Sequence, residues 1–536
     1  MGFADVMQSG RRCMRKVWGI YSNTARFRNS IGGRRVDGGG LPSSFVESSE
    51  SVLQEIEPPP LVFGSRGFEK ASPSFSLMMM RRGFSSLQGA SSAPTTTTTT
   101  RLSSPWLTLP AGFAAGGGDT LIKEAAAEPK AEDKDYYNYN HFFSLAEKKV
   151  LRIRKNLRMP WQGEILSPDD SKCVGSSHGW LAFISRQNCK LYLYNPLIDP
   201  HSSLLPFIPL PPIETLPSIL SKVCRKEKVT DSDSDSFSMV TEFVSRNQMS
   251  AVSSVEICKT FIRRVVLSSA PSPMPSKTKK NNETGCTVMV IHGHTEFKLA
   301  FCRPGDTSWT ALDGPQESYQ ALLYFNKHQL FYALSFSGSL EAWDLRNPYS
   351  PERTLVKSKV PQVLPPTPMD EHQRFLRINC LSKKYIVESS SGDLLMVHRY
   401  YCFGIDDNGE IVTYDRLKDD GNDFSTYPSK RTTLAFDVYK LDFDKKKWEY
   451  VPSLGDEALF LGLNHSVSLS VRDLPELSGN SIYFTCIDAE LCLNMSDGSH
   501  DMGVFNLEDN SITPLYQCTS ISKRIQPPPI WIVPPP

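Results

Sequence analysis

The sequence predicts an all-β protein: a β-propeller of about six or seven blades, preceded by a disordered N-terminal presequence and linker. Three observations predict it. Residues 175–196 spell a β-hairpin, two short aromatic and β-branched runs around the polar turn 185–190. Pieces of the same grammar recur to the end of the chain, at irregular spacings compatible with units of about 40 to 50 residues, the size of one blade. Amphipathic helices, which a parallel β/α fold needs between its strands, are scarce.

With 536 residues the chain exceeds one ordinary domain, so a large repeat domain plus unfolded segments is expected. A hydrophobic content of 40% allows a sizeable core, and a net charge of +1 gives no footprint for a polyanion over the chain as a whole. None of the 12 cysteines forms a Cys-x-x-Cys pair. Cys286, Cys302 and Cys486 fall inside strand-like runs, where a free thiol is a small core hydrophobe. Reduced cysteines in an intracellular, soluble protein are expected, because no apolar run approaches the roughly 20 residues that span a bilayer.

Residues 1–103 read as an address rather than a fold. After Asp5 no acid appears until Asp37, while Arg11, Arg12, Arg15, Lys16, Arg26, Arg28, Arg34 and Arg35 lie between. Met14, Val17, Trp18 and Tyr21 share one helical face. A basic amphipathic segment without acids is the pattern of an organellar transit peptide. Mitochondrion is favoured by arginine density, with chloroplast or dual targeting as the alternative. Residues 38–118 continue with Gly, Ser and Pro and six threonines from Thr95 to Thr100, a composition too poor in apolar residues to offset chain entropy.

From about residue 104 the texture changes. The clearest helical candidate is 144–157. The hairpin 175–196 follows, then two polar inserts near 225–253 and 271–283, read as solvated loops around a strand at 260–268. Residues 322–325, 330–334 and 340–345 form a three-stranded meander across turns at Asn326 and Ser337. Residues 435–443 and 448–451 flank another turn, and 481–486, 503–507 and 512–516 repeat the theme. Asn195, Asp344, Asp442 and Asn506 each end a strand, where an Asn or Asp side chain caps the following turn.

Together these pieces resemble a plant family described as domain of unknown function 295, the KIB-type β-propeller. The matching stretches are residues 104–110 (Ser-Pro-Trp-Leu-Thr-Leu-Pro), 175–180 (Gly-Ser-Ser-His-Gly-Trp), 191–196 (Leu-Tyr-Leu-Tyr-Asn-Pro) and 210–212. Farther on come 261–268, 480–484, 503–508 and 528–531 (Pro-Pro-Ile-Trp). The resemblance runs from about residue 104 to the C-terminus and implies a propeller domain over 104–536. Many members carry an upstream F-box and serve as ubiquitin-ligase substrate receptors. An F-box would need roughly 45 helical residues opening on Leu-Pro, and residues 1–103 offer basic, Ser/Gly-rich sequence instead, so the chain looks like an organelle-targeted branch without one.

Reactive constellations are few. His292-Gly-His294, with Glu296 on the same face, would be half a metal site if the strand ran on. A turn or solvent-facing pair is the simpler reading. His178 follows Ser177 as a base beside a hydroxyl, yet fits a tight turn better, with Gly179 allowing close approach and Trp180 packing between blades. The glycine run 116–118 lacks the Lys of a phosphate loop. The stretch from Asp231 to Ser236 alternates acid and hydroxyl, an acidic loop or a phosphorylation target, and the basic run 148–158 is a solvated face or a contact for RNA or anionic lipid. Trp309, Trp343 and Trp448 suit inter-blade packing. No catalytic, cofactor-binding or metal residue is therefore assigned. The expected function is a non-catalytic scaffold that binds another protein inside a plant organelle. The alternatives are a ubiquitin-ligase substrate receptor and a propeller enzyme with a central-channel site.

Overall fold

A computed structural model describes residues 104–109, 113–115, 122–124, 139–154, 160–161, 164–165, 171–198, 206–228, 237–245, 251–271, 285–314, 318–357, 365, 368–405, 408–413, 416, 431–487, 501–515 and 529–533, apart from 295, 464 and 473. The presequence reading, the glycine run 116–118, the acidic stretch from Asp231 to Ser236 and nearly all of 271–283 lie outside them.

In chain order the strands are β1 (Trp106–Leu109), β2 (Phe113–Ala115), β3 (Ile122–Glu124), β4 (Tyr139–Ser144), β5 (Lys149–Arg154), β6 (Pro160–Trp161) and β7 (Glu164–Ile165). A meander follows: β8 (Ser171–Ser177), β9 (Trp180–Ser185), β10 (Leu191–Tyr194) and β11 (Phe207–Pro209). An inserted sheet comprises β12 (Ile219–Lys228), β13 (Phe237–Ser245) and β14 (Ala251–Ser253). Two further meanders are β15 (Ile262–Leu267), β16 (Val288–His292), β17 (Lys298–Cys302), β18 (Thr310–Leu312), then β19 (Tyr319–Phe325), β20 (Leu330–Ser335), β21 (Leu340–Asp344), β22 (Glu352–Lys357). The helix Glu371–Asn379 leads into β23 (Leu381–Glu388), β24 (Leu394–Cys402), β25 (Thr432–Asp442) and β26 (Lys447–Tyr450). Last come β27 (Glu457–Leu461), β28 (Val467–Ser470), β29 (Ser481–Phe484), β30 (Gly503–Asn506), β31 (Ile512–Pro514) and β32 (Trp531–Ile532).

Five four-stranded sheets and one five-stranded sheet act as blades among the described residues. Blade 1 is β32-β1-β4-β5, blade 2 β8 to β11, blade 3 β15 to β18, blade 4 β19 to β22, blade 5 β23 to β26, and blade 6 β28-β27-β29-β30-β31. Six apolar clusters lie between successive blades. Trp106 and Phe142 meet Leu181 and Tyr192 between blades 1 and 2. Trp180 and Val174 meet Val288 and Trp309 next. Phe301 meets Leu322 and Trp343, Leu334 meets Met396 and Trp448, Val397 meets Leu459 and Phe484, and Phe460 and Leu515 meet Phe143 and Trp531. An open stack of six sheets has five interfaces. The sixth closes a ring, at the lower end of the expected six or seven blades. The four tryptophans assigned to inter-blade packing, Trp180, Trp309, Trp343 and Trp448, all lie in these clusters, each large apolar ring worth about 2–3 kcal/mol when buried.

Closure uses both ends of the body. β1 pairs with β32 on one edge and β4 on the other. The Thr108 N–H donates to the Ile530 carbonyl (3.0 Å) and Thr108 Oγ1 accepts from the Ile530 N–H (2.8 Å). The stretches 104–110 and 528–531, which carried part of the family resemblance, are thus the two halves of the clasp.

Two expectations fail. Of the helix expected at 144–157, the described residues 144–154 are not helical: Ser144 Oγ accepts from the Glu147 N–H, Lys148 takes φ 49°, and the chain turns from β4 into β5. Helix formers in the turn misled the reading, whereas the alternation in β5 packs Val150 toward blade 6 and Leu151 and Ile153 toward blade 2. The interval 225–253 is no simple loop, because β12, β13 and β14 pair through it. Among its described side chains, Ile219 of β12 and Phe243 of β13 enter the core between blades 2 and 3. The strand expected at 260–268 is β15, preceded by a π-helical turn, Ile257–Phe261.

Candidate functional site

The inner strands β32, β8, β15, β19, β23 and β28 touch in that order around the axis. Gly462 and His465, between β27 and β28 of blade 6, bond to blades 3 and 2, which are not neighbours of blade 6 in the ring. The His465 N–H donates to the Ser176 carbonyl of blade 2 (2.7 Å), and Arg264 of blade 3, itself buried, donates to the Gly462 carbonyl. Gly175 makes room for this crossing, since a Cβ there would sit 3.4 Å from the Leu463 carbonyl oxygen and 3.6 Å from that of Val265.

His178 and Gly179 form a two-residue turn between β8 and β9, with φ of 51° and 78°. Positive φ at both positions fits the twist of a tight hairpin, so the turn reading of His178 holds. The His178 and His465 rings lie 5.8 Å apart, and Ser177 Oγ is 3.4 Å from His465 Nδ1. This serine–histidine pair lacks what a triad needs. Ser177 Oγ already accepts the Leu267 N–H (3.2 Å), and the perturbation of His465 comes from burial first and then from His178 and Arg264, none of them a carboxylate. Burial foremost holds His465 at about 3, a neutral core imidazole.

His292 and His294 are separated by Gly293 at φ 123°, which ends β16 and breaks the alternation that a one-faced metal pair requires. Instead His292 Nδ1 lies 3.1 Å from Ser218 Oγ and His294 Nδ1 3.1 Å from Thr260 Oγ1. Phe261 touches both rings, and burial lowers them to about 3 and about 4. Glu296 is engaged by Lys298 (3.4 Å). Among the described residues no group of three or more metal-binding side chains comes together. Burial makes three thiols poor nucleophiles, pushing Cys173 to about 12, Cys286 to about 11 and Cys380 to about 12.

Blade 5 holds a polar cluster that sequence reasoning missed. Lys384, His398 and Asp437 stand side by side across β23, β24 and β25. Arg377 of the helix Glu371–Asn379 reaches Asp437 with Nη2 at 2.6 Å and Nε at 3.0 Å from both oxygens. Burial nevertheless outweighs the guanidinium and raises Asp437 above the usual carboxylate range. His398 is 6% exposed, packs its ring on Tyr439 and is held near 3 by burial and then by the Lys384 charge. Its Nε2 has no hydrogen-bond partner. Burial also lowers Lys384. The available signal was a period of two, since Lys384 precedes the core residue Ile386 by two positions and His398 follows Met396 by two. On the other face of the sheet Arg399 is fully buried, donating to Thr433 Oγ1 (2.7 Å), the Thr485 carbonyl (2.6 Å) and Asp501 Oδ2 (3.0 Å). It lies 4.6 Å from the Phe484 ring.

Comparison with known proteins agrees with this architecture. The model of the KIB1-4 β-propeller family matches residues 142–506. The putative F-box protein At5g55150 of Arabidopsis thaliana is 26% identical over 46% of this chain and 56% of its own length. F-box protein SKIP23 of the same plant is 27% identical over 45% of this chain and 52% of its own. The chain thus spans about half the length of the curated relatives it matches. Among solved structures, the WD40 domain of SCAP from fission yeast aligns at 11% identity and a TM-score of 0.20, covering 62% of this chain and 82% of that one.

Proposed function

This chain belongs to the KIB1-4 β-propeller family, and from that premise we propose that it is a non-catalytic scaffold that binds another protein inside a plant organelle. The observation that carries the reading is that Gly462 and His465 of blade 6 bond through their backbone to blades 3 and 2, which are not their neighbours in the ring, and so take up space that a propeller enzyme would keep for its substrate. Binding then falls to the faces of the ring. Non-enzymatic protein interaction is also consistent with relatives named as F-box proteins. The organelle rests on the basic, acid-poor segment from Arg11 to Arg35. The test is affinity purification of the full chain from isolated mitochondria and plastids. A reproducible protein partner supports the scaffold, and its absence from both overturns it. A fluorescent fusion lacking residues 1–40 should stay outside the organelle; import of that fusion removes the address.

The names of the relatives favour one second reading, a substrate receptor of a ubiquitin ligase. It requires binding to the ligase's adaptor subunit, and failure of the full chain to retain that subunit in a pull-down excludes it.

A further inference from the structure

Five hairpins among the described residues share one turn geometry. Ser144 and Lys149, Ser185 and Lys190, Phe325 and Leu330, Asp442 and Lys447, and Asn506 and Ser511 face each other across four-residue loops. The last loop residue takes positive φ each time: Lys148, Cys189, Gln329, Lys446 and Asn510, at 49° to 57°. Lys148, Gln329, Lys446 and Asn510 are polar and exposed, as a left-handed position at a loop tip allows. In blade 2 the same position holds Cys189, which is 1% exposed.

What Cys189 meets is a second thiol. Cys258, in the π-helical turn Ile257–Phe261, has its Sγ 3.4 Å from Cys189 Sγ. The contacts are reciprocal. Cys258 Sγ donates to the Ser185 carbonyl at the start of the hairpin turn (3.2 Å), and Cys189 Sγ lies 3.5 Å from the Ser254 carbonyl oxygen. The two cysteines are 69 positions apart, and the whole inserted sheet β12–β14 lies between them in the chain. Both are thiols in this structure. A disulfide holds its sulfurs about 2 Å apart, so the pair stands one short approach from that bond.

We propose that Cys189 and Cys258 are an oxidation site, which hydrogen peroxide converts to a disulfide that locks the exit of the inserted sheet onto the turn of blade 2. One thiolate attacks a peroxide oxygen, the O–O bond breaks, and the departing hydroxide leaves as water with that thiol's proton. The second thiolate attacks the resulting sulfenic sulfur and expels hydroxide, which takes the second thiol's proton. Two thiols and one peroxide give one disulfide and two waters, with two electrons passing from sulfur to oxygen. No ligand has to be seated, because the reacting groups already face each other and the external reactant is hardly larger than water. The cover over the pair is thin. Arg186 and Gln187 are exposed in the hairpin turn, and Val255 and Glu256 are exposed just ahead of Cys258, so opening of a surface turn admits the peroxide. The hydrogen bond with Cys258, and then burial, push Cys189 above the ordinary thiol range. Oxidation is therefore slow, and so is reduction, since a basic thiol is a poor leaving group. The site is a lasting lock rather than a quick sensor, and it stands independently of the scaffold reading.

Treating the folded full chain with hydrogen peroxide, blocking the remaining thiols and mapping peptides without reductant tests this. Oxidation of the exposed Cys224 shows that the dose suffices. Cys189 and Cys258 should then appear in one cross-linked pair of peptides, lighter by two hydrogens and separated by dithiothreitol. A trypsin nick between residues 190 and 257 should leave two pieces joined until reductant is added, and the thermal midpoint should rise by a few degrees on oxidation. Cys189→Ser and Cys258→Ser should each lose the joined pieces and the rise, whereas Cys286→Ser should keep both. Recovery of both sulfurs as thiols when Cys224 is oxidised, sulfinic acid in place of the disulfide, or a cross-link that forms only in urea overturns the proposal. These outcomes are read on the unsubstituted chain and do not depend on the folding of a variant.

Discussion

Buried polar residues set the chemistry of this fold more than exposed ones do. Burial lowers His292, His398 and His465 to about 3 and His294 to about 4, so all four are neutral in the folded protein. In the unfolded chain they titrate near 6.5. Their stabilisation is complete above that pH and is lost as pH falls toward the folded values, at up to about 1.4 kcal/mol per pH unit for each residue. The urea midpoint should therefore drop steadily from pH 6.5 to pH 4, and His292→Gln should flatten that slope. A midpoint unchanged across this window contradicts the assignment. Arg399 gives a second expectation. Arg399→Ala leaves Asp501 and several acceptors facing a void, and should lower unfolding free energy by about 3–5 kcal/mol in urea titrations. None of these partners was legible in the sequence. A lone Arg or His in a strand shows its side of the sheet by alternation, but the groups that meet it, such as Thr485 and Asp501, come from a different blade.

Individual hairpins were readable because their physics is local. The turn 178–179, the meander over β19 to β21 and the hairpin of β25 and β26 each combine alternation with turn residues a few positions apart. At the first of these, Gly179→Val forces a branched residue into φ 78° and should cost about 1–3 kcal/mol, whereas His178→Asn, a residue at ease with positive φ, should be neutral in thermal melts. What failed at this scale has a common cause. Residues 145–149 have helical propensity but too few residues to nucleate a helix, and the pairing of β4 with β5 wins. The true helix, Glu371–Asn379, went unnoticed because its N-cap, Asp370, is a single residue and its inward face is a single buried leucine, Leu376.

Blade number and closure belong to the whole molecule, and the sequence bounded them without deciding them. Spacings of about 40 to 50 residues allowed six or seven blades, because the inserted sheet β12–β14 and the extra strand in blade 6 distort the period. Only the pairing of the two ends fixes the ring. A chain beginning at residue 110 lacks β1 and leaves β32 without its partner in the sheet. It should lose the junction of blades 6 and 1, melt well below the full chain and expose Trp531 to quenchers. An unchanged melting temperature would show that the ring does not depend on its clasp.

That clasp also sets a timetable. Thr108 must wait for Ile530, 422 residues later. At a synthesis rate of ~5–20 residues per second the wait is ~20–80 s. Throughout it β1 offers a bare strand edge, and the faces of blade 1 have no neighbour on one side. Such an edge invites pairing with other nascent chains. The distal contact also slows completion, because the entropy of closing so long a loop is lost before the contact stabilises anything. The molecule is thus born as an open arc, vulnerable until β32 leaves the ribosome, and a chaperone that shields residues 104–109 during that interval would govern how much of it reaches the closed state.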